Sequence, residues 1–300
     1  MNTRLPGIDG GNPLGFLAAM GLLRLSRRGG GRLRFASDGT NQAVLEGVGD
    51  EHAITDMVAA DAKASAGLAA LKISYSKPEK KGVKVVRDLK APPAEFTKML
   101  FQAKQSWASG SDREYAADIA AFGTSLEVDG KGNTKPTAFH FTAAQQEFLK
   151  AIDESRSKVD PVGAYESLVE GRGRTRGKNL RWDPRDARAH ALMAEDPDAE
   201  GTSVDVTLEW LAFRGLAAFP VISVGRKQPA TVGVSGRGED MEFTWPLWRL
   251  AADWATACSL VRLPSDAMTR ERGVFAVATS GIRRTAQGFG NFGPADLSAV

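Results

Sequence analysis

Residues 8–48, IDGGNPLGFLAAMGLLRLSRRGGGRLRFASDGTNQAVLEGV, decide the class of fold. Asn12 stands where a helix needs a side-chain acceptor for its orphan N–H groups, and Pro13 suits the first helical position. Leu14, Phe16, Leu17, Met20, Leu23 and Leu25 then supply an apolar surface at helical spacing. Arg24, Arg27 and Arg28 follow in the last turn, where cations complement the carbonyl end of the dipole. RLRF (32–35) and QAVLEGV (42–48) alternate like two strands, and ASDGTN between them has turn chemistry. A helix followed directly by a hairpin is not a β-α-β unit.

The rest of the chain keeps that irregular order. An alanine-rich helix is expected from Glu51 to Leu71, and strands in LKISYS and VKVVRDLK flank the lysine-rich KPEKKG. One helix is expected after Pro92-Pro93 and another at SDRE, where Ser111 and Glu114 have capping-box spacing. TAFHFT (137–142) alternates as a short strand, with a helix from Ala143 to Lys158. DVTLEWLAFRGLAAF (205–219) is a helix, PVISVG, ATVGVS and MEFTW are strands, PLWRLAADWATACSLVRL is a helix, and GVFAVATSGIRR is a last strand. The expected fold is therefore α+β, with mixed, mainly antiparallel sheets and packed helices in two lobes, 1–157 and 158–300.

With 300 residues, 42% hydrophobic and 25% charged, the chain suits a globular body with a substantial core. No apolar run approaches the roughly 18 residues of a membrane span. The N-terminal sequence lacks the apolar stretch of a secretory signal and Cys258 is the single cysteine, so a cytoplasmic protein without a membrane partner is expected.

Net charge is +3, but it is unevenly spread. Residues 24–34, 72–90 and 172–188 each carry +5, which leaves −12 for everything else. Such segregation suits a phosphate-binding face on an acidic body; the alternative is solvated loops whose charges never share a face. The first run contributes Arg27 and Arg28, the second Lys80 and Lys81. In the third, Arg172, Arg174, Arg176, Lys178 and Arg181 lie among glycines before Trp182, so that guanidinium groups could meet phosphates while an indole stacks on a base. Alternatively, Trp182 packs inside, while Asp183 and Asp186 pair with Arg185 and Arg188 as a structural corner. The expected division is a free RGRTRGK and a structural WDPRDAR. Near the C-terminus Arg283 and Arg284 precede Phe289 and Phe292 set in glycines, a second basic-aromatic contact; the alternative is that both rings anchor the C-terminus beneath a sheet.

Enzymatic signatures are missing from the sequence. Gly10 and Gly11 are followed by Asn12 and Pro13, without the lysine and hydroxyl of a P-loop, and no clear strand leads into the turn. One phosphate at the helix N-terminus is the remaining nucleotide-like reading. His52, His140 and His190 are far apart and show no metal-ligand spacing. No catalytic residue, metal or cofactor is expected.

IDGGNPLGFLAAMGLLRL (8–25), KPTAFHFTAAQQEFL (135–149), LRWDPRDARAHAL (180–192), LEWLAFRGLAAFPV (208–221), FTWPLW (243–248) and GFGNFGPA (288–295) resemble segments of CRISPR-associated proteins of the type I-G group, formerly I-U. The likeness is to compact, large-subunit-like Cas components. It implies a noncatalytic subunit of an RNA-guided antiviral surveillance complex that contacts guide RNA, target DNA or other Cas subunits. The chain is short for a complete large subunit and lacks the HD and DExH motifs of the associated nuclease-helicase. Two other classes are compatible with the residues: a protein-interaction scaffold docking through Trp245, Trp248 and Trp254, and a hydrolase centred on His140 or His190.

Overall fold

The computed structural model describes residues 1–79, 82–142, 146–185, 203–224, 229–284 and 290–300. Strand β1 (Asn2–Asp9) leads through Gly10-Gly11 into helix α1 (Pro13–Ser26), followed by the hairpin β2 (Arg32–Phe35) and β3 (Gln42–Glu46). Next come α2 (Glu51–Ala64), the hairpin β4 (Tyr75–Glu79) and β5 (Gly82–Val86), α3 (Pro93–Ser109), α4 (Arg113–Phe122), and the pair β6 (Gly123–Val128) and β7 (Thr134–Pro136). Helices α5 (Phe148–Arg156) and α6 (Pro161–Leu168) precede β8 (Thr175–Arg176), β9 (Ser203–Val204) and α7 (Val206–Gly215). The chain continues with β10 (Val221–Ser223), β11 (Pro229–Thr231), β12 (Val234–Ser235), β13 (Glu242–Trp248), α8 (Trp254–Leu260), β14 (Val274–Arg284) and β15 (Gly290–Ala299). Every strand pairing among the described residues is antiparallel: a sheet ordered β1-β3-β2, another ordered β12-β13-β14-β15, and four two-stranded pairs. The fold is α+β.

Helix α1 is central. Asn12 caps it as expected, its Oδ1 accepting from the Leu14 and Gly15 N–H groups, and of its fourteen residues all but Leu25 are buried. A helix apolar on every side has to be enclosed on every side. Helix α7, also buried along its whole length, crosses it at two glycines. A Cβ on Gly21 would stand 1.8 Å from the Leu211 carbonyl oxygen, and one on Gly215 would stand 2.1 Å from that of Leu17. On another side, the Phe16 ring lies within 5.6–6.4 Å of Phe35, Phe219, Phe243, Trp245 and Trp248. The indoles of Trp245 and Trp248 donate to the carbonyls of Gly10 and Leu33, locking the four-stranded sheet to the three-stranded one. The 157/158 boundary falls in the turn between α5 and α6, and one hydrophobic core spans both sides of it.

Several expectations are corrected. A strand does lead into the Gly10-Gly11 turn; Pro6 and Gly7 obscure it, and Gly7 is required because a Cβ there would meet the Ser167 carbonyl at 1.7 Å. Residues 137–142 form buried irregular chain rather than a strand, and α5 starts at Phe148. The expected helix from Pro246 starts only at Trp254, because Pro246-Leu247-Trp248 completes β13 against β14. Residues 290–299 form a further strand.

At the far end of the α1–α7 crossing lies a buried ion cluster. Arg24 Nη1 donates to Asp118 Oδ1 at 2.6 Å and to the Arg214 carbonyl at 2.9 Å, while Nη2 lies 2.8 Å from Glu114. Burial opposes the Arg24 charge, but the carboxylates of Asp118 and Glu114 more than offset it and raise its pKa. Arg214 lies 3.5 Å from both Asp61 and Glu114, and the Trp210 indole donates to Asp61 at 3.0 Å. Arg24 is thus structural, beyond complementing a dipole. Deleting one member of a buried pair leaves the other uncompensated, at a cost of about 3–5 kcal/mol. Asp118→Ala is expected to lose that much in a urea unfolding titration, whereas Arg172→Ala, at an exposed ion pair, should move it by less than about 0.5 kcal/mol.

Asp205 caps α7, accepting from the Leu208 N–H at 3.0 Å and from the Ser167 hydroxyl at 2.8 Å on each oxygen. Burial outweighs these bonds and pushes its pKa up from 3.8 to about 6. The folded state therefore holds this proton more tightly than the unfolded one. The group's contribution is most favourable below the unfolded value of 3.8 and falls as pH rises through about 6. Asn caps helices as well as Asp does but carries no charge. Asp205→Asn is expected to melt several degrees above the parent at pH 7.5, with the difference closing towards pH 4.

Candidate nucleic-acid interface

The fold pairs many cations of the three basic runs with carboxylates. In the first, Arg24 is buried; Arg27 is half-buried, donating to the Arg24 carbonyl and pairing with Glu114; and Arg34 pairs with Glu46 at 2.9 Å. In the second, Lys84 lies 3.4 Å from Glu147 and Arg87 lies 3.1 Å from Asp153. Lys80 and Lys81 lie outside the described residues. In the third, Arg172 pairs with Glu170 and Lys178 with Glu154, each at 2.8–2.9 Å, and Arg174 reaches Asp183 at 3.5 Å and the Ser203 carbonyl at 3.0 Å.

The expected free RGRTRGK loop is thus corrected: Thr175 pairs with Val204 and Arg176 with Ser203 in the β8–β9 ladder. Arg181 sits at φ 62°, half-buried, at the corner before Trp182. The corner itself is structural. Trp182 is wholly buried with its indole donating to the Phe139 carbonyl at 2.8 Å, and Arg185 pairs with Asp183 at 2.8 Å. Asp186, Arg188 and His190 lie outside the described residues. The α1 N-terminus is a poor phosphate site, because Asn12 occupies its N–H groups and the Asp183 carboxylate accepts from the Asn12 amide at 3.1 Å.

For Phe292 the C-terminal contact takes its alternative form. Phe292 has no free face for a base: it is buried with ring centroids 4.9 Å from Phe141, 5.7 Å from Phe243 and 5.8 Å from Phe139. Arg284 is also committed to structure, donating to the Ala138 carbonyl at 2.8 Å and to that of His140 at 3.3 Å; burial lowers its pKa. Arg283 is exposed on β14, and Phe289 lies outside the described residues. Trp245 and Trp248 are fully buried, so they cannot form a docking surface. His140 is wholly buried, with Nε2 2.6 Å from Asp88 and 3.1 Å from Thr142. Among the described residues no three His, Cys, Asp or Glu side chains are placed to hold a metal ion, and no helix is long and apolar enough to cross a membrane.

Arginines and exposed aromatic surface do meet in a cleft of about 770 Å³ formed by the end of α1, the α3–α4 turn and α8. Gly110, at φ 70°, ends α3, and Asp112 caps α4 by accepting from the Tyr115 N–H at 2.9 Å. This tight turn brings Trp107 and Arg113 together, with the guanidinium 5.4 Å from the ring centroid. Across α8, capped by Asp253, the cleft is lined by Trp254, Cys258 and Arg262. Burial pushes the Cys258 thiol up to about 11, so it stays neutral.

Glu114 divides the cations of this cleft. It accepts the charges of Arg24, Arg27 and Arg214, but lies 3.9 Å from Arg28, whose side chain is 83% exposed. Arg113 and Arg262 are exposed and have no carboxylate partner among the described residues. Of the residues expected to bind nucleic acid, Arg27 and Arg28 are the two at this cleft, Arg27 mainly holding its wall.

Trp107, Arg113, Trp254 and Arg262 carry no sequence motif. The one available signal was in α3: Phe96, Met99 and Ala103 form its buried stripe, and Trp107 continues that stripe yet is 57% exposed. Comparison with known proteins finds no family model, no curated protein and no solved structure that matches the chain, so the likeness to type I-G components rests on the sequence motifs alone.

Proposed function

We propose that the chain is a noncatalytic nucleic-acid-binding subunit of a cytoplasmic, RNA-guided complex of the type I CRISPR class, in which it contacts guide RNA or target DNA beside other Cas subunits. The complex and its neighbours are proposed on the sequence resemblance. Nucleic-acid binding is proposed on one observation: the cleft that gathers exposed Arg28, Arg113 and Arg262 around an exposed indole. Arg113 and Arg262, without carboxylate partners among the described residues, and Arg28, largely exposed with Glu114 only at 3.9 Å, have guanidinium groups available to fork onto phosphate oxygens. A hydrolase centred on His140 is disfavoured by the burial of its imidazole.

The test is the triple substitution Arg28→Ala, Arg113→Ala and Arg262→Ala. Affinity for unrelated oligonucleotides is expected to fall, and the slope of log K against log salt to flatten by about 2–3, since each phosphate contact releases close to one counterion. The melting temperature should hardly move, because none of the three is buried. Arg27 is left in place because it supports Glu114 and the end of α1. An unchanged affinity in the folded variant overturns the assignment.

A further inference from the structure

The position of Trp107 is at odds with its chemistry. The α3 stripe that buries Phe96, Met99 and Ala103 would ordinarily bury the next large side chain, yet the helix extends past the core and leaves this indole in solvent at the cleft. Arg113 lies over the ring at 5.4 Å and Trp107 still keeps 57% of its surface exposed, so the guanidinium does not close the site. An arginine beside an open aromatic surface, with further arginines in reach of a backbone, is the arrangement that serves a single strand: the cations hold phosphates and the ring stacks on a base. A duplex gains only from the cations, because its bases are already stacked on one another.

We infer that Trp107 is a stacking platform for an unpaired base, and that the cleft therefore prefers single-stranded nucleic acid to duplex. This rests on the proposed nucleic-acid function and adds the class of strand. Trp254 lines the same cleft, half-buried, as a wall behind the stacked base.

The experiment uses the full chain, a fluorescein-labelled oligothymidine, and the same strand annealed to its complement, with affinity read by anisotropy. The parent should bind the single strand more tightly. Trp107→Leu, which keeps an apolar side chain but no π-face, should weaken single-strand binding about five- to a hundredfold while leaving duplex affinity and the salt slope unchanged. Trp107→Phe should recover part of the loss. Because the residue is exposed, melting temperatures should match the parent's. An arginine-dependent affinity that is equal for both probes, or untouched by Trp107→Leu, overturns the stacking inference while leaving the nucleic-acid function standing. A parent that binds neither probe overturns both.

Discussion

The close crossing of α1 and α7 is the constraint on which the rest of the molecule depends. Gly21 and Gly215 bring two backbones to a separation that no side chain fits, and this near-contact fixes the helices' relative height and rotation. Two arginines are thereby placed where water is excluded, Arg24 on one helix and Arg214 on the other, with the Arg24 guanidinium bonded to the carbonyl of its neighbour. Buried cations need anions, and no acid on α1 or in the last turn of α7 is placed to serve. Asp61 from α2, and Glu114 and Asp118 from α4, supply them. The ion cluster recruits the flanking helices to the central pair; a buried pair gives little net stability but is costly to break.

The cleft is a by-product of this arrangement. Glu114 is in the first turn of α4, so satisfying Arg24 brings the α3–α4 turn against the end of α1. That same turn carries Trp107 on one side and Arg113 on the other. Burial opposes ionisation of Glu114, but Arg24, Arg27 and Arg214 together hold its pKa below the usual value, so it stays charged while its capacity is spent inwardly. Arg28, one residue further along, is left largely exposed at the mouth. A structural carboxylate thus determines which arginines of the segment face outward.

Local signals made much of the fold readable before the structure. Asn12-Pro13 opening α1, the β2–β3 hairpin and the long strand β14 each follow from capping or alternation within a few residues. Alternation misled where burial lies on every side. Phe139, His140 and Phe141 are all buried in irregular chain, so the apparent strand period there reflected composition rather than two faces. The Pro246-Leu247-Trp248 run looked helical because its continuation is, but cross-strand pairing with β14 overrides that local tendency. Glycines near Phe292 are compatible with either an exposed ring or a buried anchor; the second holds, and Gly290 allows the close packing, since a Cβ there would meet the Phe141 ring at 2.5 Å.

The site was harder to see because clustered charge in sequence is not clustered charge in space. The acidic remainder of the chain is not a separate body: Glu46, Glu114, Glu147, Asp153 and Glu154 each come to a cation of the basic runs. Pairing of this kind is the expected fate of dense charge, since a folded chain gains by bringing opposite signs within a few ångströms and loses by leaving like signs together. Arg113 and Arg262 lie outside every basic run and, among the described residues, escape this pairing. Arg113 is held by an indole rather than an acid, and Arg262 follows a helix whose cap, Asp253, is occupied at the other end. A cation that is to meet an external phosphate has to be one the fold leaves unneutralised, so isolated arginines beside exposed aromatic surface are better candidates for that role than members of the densest run.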